Sequence, residues 1–294
     1  MKKHDTQVSA ASGLLEIPCP FLSEVGVARL LEPADADPAA LYARLIEGSY
    51  DKPFLFEHGD QRLLYFSFRF VQSAMRLRDP DALDLTYTQK MMTFLLFNAK
   101  PRNLLLIGLG GGSVAKFCYR RLPGTRITVL EIDPHVIAFR DQFLVPPDDE
   151  RFTVIEGDGA RYVAEQAERT DVLLVDAFDH EGVAPSLADP MFYESAHRCL
   201  SANGIFVMNI AGEKSGYGHH LEQIRAVFGD NVIAMSVKDD GNYIVFGFKN
   251  ADFEPRWTFL KSLAQKLQAR LGLDFPRFAQ QLERGHKLRL ARRL

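Results

Sequence analysis

From Asn103 onward the chain alternates short, continuous apolar runs with helix-length stretches of mixed character. Leu104–Ile107, Ile127–Leu130, Phe152–Ile155, Val172–Val175 and Ile205–Met208 are each bounded by polar residues, glycine or proline. Unbroken apolar runs of this length are what strands covered on both faces require. The helix-length segments between them make the βαβ rhythm of a parallel, doubly wound sheet. Two last strands break that rhythm. Val232–Val237 and Tyr243–Phe248 are separated only by Lys238-Asp239-Asp240-Gly241-Asn242, too short for a parallel crossover, so they predict a hairpin with one antiparallel strand. The expected sheet therefore has seven strands and is mostly parallel.

Upstream the pattern differs. Phe54-Leu55-Phe56, the turn-like His58-Gly59-Asp60 and the run Leu63 to Phe68 predict an aromatic-rich antiparallel pair inside a small β-domain over residues 50 to 77. Phe66, Phe68 and Phe70 alternate as a half-buried strand does. Asp79-Pro80-Asp81 signals a helix start, and Leu83, Tyr87, Met91 and Leu95 carry helical spacing, which predicts a helix over residues 83–97. Residues 1 to about 50 contain Pro18, Pro20, Pro33 and Pro38 and show too little periodicity to predict an element. Trp257–Leu271 and Phe275–Arg284 read as helices before a basic tail.

Composition narrows the possible functions. The 35 Lys+Arg nearly balance 38 Asp+Glu, so no whole-molecule field attracts nucleic acid or an acidic membrane, and a small-molecule substrate fits better. Cys19, Cys118 and Cys199 lack the CxxC spacing of a metal or redox site and read as buried thiols of a reducing compartment. Lys2 and Lys3 are followed by Asp5 and Gln7 rather than by an apolar signal core, and no run reaches the roughly 18 apolar residues of a membrane helix. A cytoplasmic location is the expectation. His180 and His219-His220 lack the partners a metal site needs and predict solvated or capping roles, hence no metal.

The candidate chemistry begins where the first parallel strand runs into Gly108-Leu109-Gly110-Gly111-Gly112-Ser113 and then a helix from Val114 to Leu122. Glycines there let the backbone turn sharply and let a ligand approach a helix N-terminus, so Gly108, Gly110 and Gly112 are candidate nucleoside-binding positions. Glu131 ends the next strand, where a carboxylate can hold ribose hydroxyls. A dinucleotide site competes, but it wants a glycine where Ser113 stands. Asp158, in Glu156-Gly157-Asp158-Gly159, ends the third strand and can accept a hydrogen bond from an adenine amino group, or cap the following helix, or both. Asp176, in Asp176-Ala177-Phe178-Asp179, ends the fourth strand at the same crevice, with Asp179 able to point the same way.

In order, Tyr87, the glycine turn, Glu131-Ile132-Asp133, Gly157-Asp158-Gly159, then Asp176-x-x-Asp179 with Phe192-Tyr193 resemble the spermidine synthases, the polyamine aminopropyltransferases, over roughly residues 50 to 250. The resemblance implies a class I AdoMet-dependent methyltransferase-like, Rossmann-like α/β fold preceded by a small β-domain. It implies residues 1–77 as N-terminal segment and β-domain, 78–254 as the AdoMet-binding domain and 255–294 as a helical extension. It further implies that Gln72 and Glu131 hold the nucleoside, Asp158 the adenine, Asp176 and Tyr87 the attacking amine, and Asp179 the far part of the amine substrate. The implied co-substrate is decarboxylated S-adenosylmethionine or S-adenosylmethionine, the acceptor a small-molecule amine, with methyl transfer to a small molecule as the alternative. No nucleic acid or membrane partner is expected, and the aromatic-rich β-domain offers a surface for a homodimer. Three departures stand out: Gly111 replaces the Asp usual in the middle of the glycine loop, Asp179 is followed by His180 rather than proline, and Asn209 stands where a Gln is often found after the fifth strand. Losing an anion from a site for cations removes a charge-assisted hydrogen bond of about 1.5–3 kcal/mol.

Overall fold

The computed structural model describes residues 14–18, 26–67, 70–178, 183–210, 214–237 and 241–291. These described residues fall into two compact units, those within Met1–Asp84, Gly110–Lys116 and Asp133–Pro146, and those within Leu85–Leu109, Phe117–Ile132 and Pro147–Leu294.

The first unit is built on an antiparallel meander of five strands in sequence order: β1 (Leu15–Pro18), β2 (Val27–Leu30), β3 (Phe54–His58), β4 (Gln61–Ser67) and β5 (Phe70–Arg76). Residues before 50, in which the sequence suggested no element, supply β1, β2 and helix α1 (Pro38–Glu47). Four-residue strands are too short to show a period, whereas α1 carries its own punctuation. Asp37 caps it by accepting a hydrogen bond from the Ala39 amide at 2.9 Å, Pro38 opens it, and Gly48 closes it in the left-handed region. Its Leu41 and Leu45, four residues apart, bury one face beside Leu15, Ile17, Phe54 and Phe56. The expected hairpin is present: His58 pairs with Gln61 across the two-residue turn Gly59-Asp60. Phe66 is half-buried, and Phe68 lies outside the described residues.

The second unit contains the seven-stranded sheet, in the order β11-β12-β10-β9-β6-β7-β8. Its strands are β6 (Asn103–Ile107), β7 (Arg126–Glu131), β8 (Phe152–Glu156), β9 (Thr170–Val175), β10 (Leu200–Ile210), β11 (Val232–Ser236) and β12 (Tyr243–Phe248). β10, β9, β6, β7 and β8 are parallel, and β12 runs antiparallel to both β10 and β11. This is the mostly parallel α/β sheet that the five apolar runs and the final hairpin predicted. The remaining helices of the chain are α2 (Thr86–Met91), α3 (Ser113–Arg121), α4 (Pro134–Ala138), α5 (Gly159–Ala164), α6 (Pro185–Ala188), α7 (Pro190–Cys199), α8 (Lys214–Phe228), α9 (Trp257–Leu271) and α10 (Phe275–Ala291), of which α4 and the first turn of α3 fall in the first unit and the others in the second. Leu105, Ile107, Leu173, Val175, Phe206 and Met208 are all buried in one core with Tyr193 of α7 and Phe228 of α8.

Helix boundaries differ from expectation in two places. The helix predicted over 83–97 begins only at Thr86 and tightens into a 3₁₀ turn over Met92–Leu96. Its predicted start is diverted because Asp84 is tied to the Arg76 guanidinium and the Gln61 amide of the first unit. The last helix runs past Arg284 to Ala291. Among the described residues no helix is long and apolar enough to cross a membrane.

Candidate active site

Parallel strands of one sheet point their carboxyl ends to one edge, and that edge gathers the candidate residues of the second unit. β6 leads into Gly108, β7 ends on Glu131, β8 leads into Asp158, and β9 leads into Asp176. The Asp176 amide donates to Ile107 O at 2.9 Å, and the Gly108 amide donates to Leu130 O at 2.8 Å, so three neighbouring strand ends are tied together by main chain. Gly108 has φ +94°, and a Cβ built on it would lie 2.1 Å from the Asp176 carbonyl oxygen. Glycine is required here by the protein itself: any side chain would displace the strand end that carries Asp176.

Asp176 is the chemical centre of this edge. Its Oδ1 accepts from Asn209 Nδ2 at 2.9 Å, and Tyr87, on α2, also hydrogen-bonds to its carboxylate. Asp176 is half-buried, and desolvation pushes its pKa up to about 6, against the lowering effect of those two donors. The pairing register explains Asn209: Met208 sits opposite Val175, so the next residue on each strand is Asn209 beside Asp176. The other amide atom, Asn209 Oδ1, is buried and has no hydrogen-bond partner among the described residues. Tyr217 and Tyr243 stack at 3.9 Å near the same end of β10, with Tyr243 paired to Ile210.

Glu131 is buried, and its Oε2 accepts from the Leu109 amide at 2.8 Å, fixing the carboxylate to the start of the glycine turn. Asp158 is half-buried and caps α5, accepting from the Ala160 amide at 2.8 Å. Asp179 and His180 lie outside the described residues.

The rest of the turn belongs to the first unit, where Gly110 and Gly112 take φ +51° and +67° before α3. Gln72 is half-buried on β5, next to buried Ser73. A Cβ on Gly111 would stand 2.7 Å from Ser73 Oγ and 2.9 Å from the Phe143 ring. Phe143 is fully buried, and its carbonyl accepts from Lys116 Nζ at 2.7 Å. Lys116 is itself buried on α3, and that burial lowers its pKa to about 8, partly opposed by Asp81. Ser73 and Phe143 therefore close off the space beside Gly111, which no sequence signal disclosed.

Cys118 and Cys199 are free and buried, and burial raises both thiols, Cys118 to about 12. Cys19 lies outside the described residues. His220 corrects an expectation: it is neither solvated nor a cap, but is buried in the core with Nδ1 2.6 Å from Tyr193 Oη, and burial lowers its pKa. His219 is exposed. Among the described residues no three His, Cys, Asp or Glu side chains group as metal ligands.

Residues 84–227 match the family model of the spermine/spermidine synthase domain. A polyamine aminopropyltransferase of Neisseria meningitidis is 39% identical over 223 residues, which cover 75% of this chain and 85% of the relative. One of the same name from Chromobacterium violaceum is 37% identical over 228 residues, 77% of this chain and 87% of the relative. Among solved structures, a probable spermidine synthase from Corynebacterium glutamicum shares the fold, with a TM-score of 0.63 at 20% identity over 80% of this chain and 92% of its own. The strand ends that gather Asp176, Tyr87 and Asn209 thus lie within a stretch that these relatives share, and the chain belongs to the polyamine aminopropyltransferase family.

Proposed function

We propose that this transferase moves an aminopropyl group from decarboxylated S-adenosylmethionine to a small amine such as a diamine. One observation carries the reading: a half-buried carboxylate at the carboxyl edge of the sheet, held by Tyr87 and Asn209, with its pKa raised to about 6 by desolvation. The reaction is a displacement. The amine nitrogen attacks the propyl carbon bonded to the sulfonium, the C–S pair goes to sulfur, and a neutral thioether leaves, which needs no acid.

The barrier lies in the nucleophile. An alkyl amine resembles lysine, with a pKa near 10.4, so presenting it unprotonated near pH 7 costs about 4.6 kcal/mol. Asp176 at about 6 remains largely ionised at pH 7, yet stands about 2 pKa units nearer to the amine than an ordinary aspartate, a gain of about 3 kcal/mol as proton acceptor. Tyr87 and Asn209 orient it, and Asn209 Oδ1 supplies a second acceptor for an amine N–H. Desolvation of the amine in a closed pocket lowers its own pKa further.

The donor's nucleoside rests on the other strand ends. Glu131 takes ribose hydroxyls while its Oε2 stays on Leu109, since a carboxylate offers about four acceptor sites. Asp158 meets the adenine amino group, and the family resemblance assigns Gly108, Gly110, Gly112 and Gln72 to the donor as well. Asp179 grips the far end of the amine. Decarboxylated S-adenosylmethionine with putrescine should yield methylthioadenosine. Release of S-adenosylhomocysteine from S-adenosylmethionine instead would favour methyl transfer, the reading that the uncharged Gly111 turn supports.

Asp158 serves a fold and a ligand at once, and substitutions separate the two. Asp158→Ser keeps a capping oxygen, so the stability loss of about 1 kcal/mol expected for Asp158→Ala should largely disappear. Both variants should raise KM for the donor about tenfold or more through the lost adenine contact. Melting curves and donor titrations check this; unchanged donor KM in Asp158→Ala would leave it a cap alone.

A further inference from the structure

The second unit has a cavity of about 550 Å³ at the amino ends of its strands, the edge opposite to the one carrying Asp176. Arg102 immediately precedes β6, Arg126 opens β7 and Arg169 immediately precedes β9, and all three line this cavity. β9, β6 and β7 are consecutive neighbours in the sheet, at strand spacings of about 4.8 Å, so three arginines sit close together along the rim of one small concavity.

The three arginines are exposed and outnumber the cavity's two acids, Glu168 and Asp171. Among the described residues none of the three side chains has an ion-pair or hydrogen-bond partner. The two acids leave the lining net positive, and each also has a partner other than these guanidinium groups. Asp171 Oδ2 accepts from the Arg102 and Asn103 amides at 2.8 and 3.0 Å, and its Oδ1 accepts from Ser201 Oγ at 3.0 Å. Glu168 Oε1 faces Lys249 Nζ at 3.8 Å. The same bonds make the rim rigid: the Arg126 amide donates to Arg102 O at 2.8 Å, and the Arg169 amide donates to Cys199 O at 3.0 Å. Fixed main chain carrying unpaired forks suits oxyanion recognition, because a guanidinium offers paired N–H groups matched to phosphate oxygens. Half-buried Tyr162 and Gln166 complete a wall able to stack and hydrogen-bond an attached ring. The volume falls within the range of small-molecule sites.

We propose that this cavity binds a small molecule carrying two or more phosphate charges, at a site separate from the transferase centre. The test is calorimetric titration of the full chain with pyrophosphate and with ATP, in potassium chloride at matched ionic strength. Saturable one-to-one binding of pyrophosphate below about 1 mM is expected. Arg102→Gln, Arg126→Gln and Arg169→Gln should each weaken it about tenfold, and Arg126→Lys less, while aminopropyl transfer in the absence of phosphate stays at the wild-type rate. Tighter binding of ATP than of pyrophosphate would add the ring to the recognised chemistry. Pyrophosphate heats that do not saturate by about 10 mM, or an affinity unchanged in all three glutamine variants, would overturn the proposal. So would loss of binding in those variants to a DNA oligonucleotide alone, which would make the arginines an extended polyanion surface instead.

Discussion

Replacing Asp176 by asparagine is expected to lower kcat by about 10²–10⁴-fold while making the protein more stable at neutral pH. The two effects have one origin. The folded-state pKa of Asp176 is raised from 3.8 to about 6 by burial, so its stability contribution is complete below pH 3.8 and is lost as pH rises through 6. At pH 7 the wild type therefore holds a charge that costs it up to about 3 kcal/mol, which the isosteric amide does not. Asn209 Nδ2 can still donate to an amide oxygen at position 176, so the packing is retained. Thermal melting of both proteins between pH 4 and 8 should show an advantage for the variant that shrinks as pH falls through 6. In the wild type, kcat/KM should fall below about pH 6, and the variant should lose that limb. Donor affinity should change little; a matching loss of donor affinity and turnover would remove Asp176 from the role of proton acceptor.

The second large effect is expected at Gly111. Gly111→Asp places a carboxylate where the family usually has one, yet it should destabilise the protein by about 1–3 kcal/mol, several degrees in Tm, without strengthening the binding of an amine-bearing donor. A Cβ there meets Ser73 Oγ at 2.7 Å and the Phe143 ring at 2.9 Å. Ser73 can rotate, but Phe143 is fully buried and its carbonyl is held by Lys116. Adding Phe143→Leu should recover part of the loss by emptying the space that the new side chain needs. The measurements are melting temperatures of the single and double variants and titration with decarboxylated S-adenosylmethionine. A single variant that melts with the wild type and binds the donor more tightly would show that the Phe143 ring yields freely.

What the sequence disclosed and what it hid follow from the range of the interactions involved. β6, β7 and β9 are readable because they lie inside the sheet and are largely buried on both faces, which writes an apolar run of about four residues into each; edge strand β8 is only partly buried but keeps the same kind of run. Glu131, Asp158 and Asp176 could be named because each ends such a run, and parallel strands end on one edge. The start of α2 is not legible because Leu83 and Tyr87 keep helical spacing while Asp84 answers to Arg76, a partner on another element. The reach of Asn209 toward Asp176 depends on the register of β9 against β10, which is a property of pairing rather than of either segment. Ser73 and Phe143 are 70 residues apart and meet only around Gly111, so the reason for that glycine is not local at all. α1 is the opposite case: its Asp37-Pro38 and Gly48 signals are local, and only the short strands around it obscured them.

The contact between Gly108 and the Asp176 carbonyl has a consequence for how such a scaffold diversifies. The offset between the turn assigned to the electrophile and the carboxylate assigned to the nucleophile is set by main chain of adjacent strands. Side chains beyond Asp176 can therefore be exchanged to admit acceptors of different length without resetting the line of attack. New acceptor ranges become accessible by small steps, whereas changing the donor requires rebuilding the turn itself.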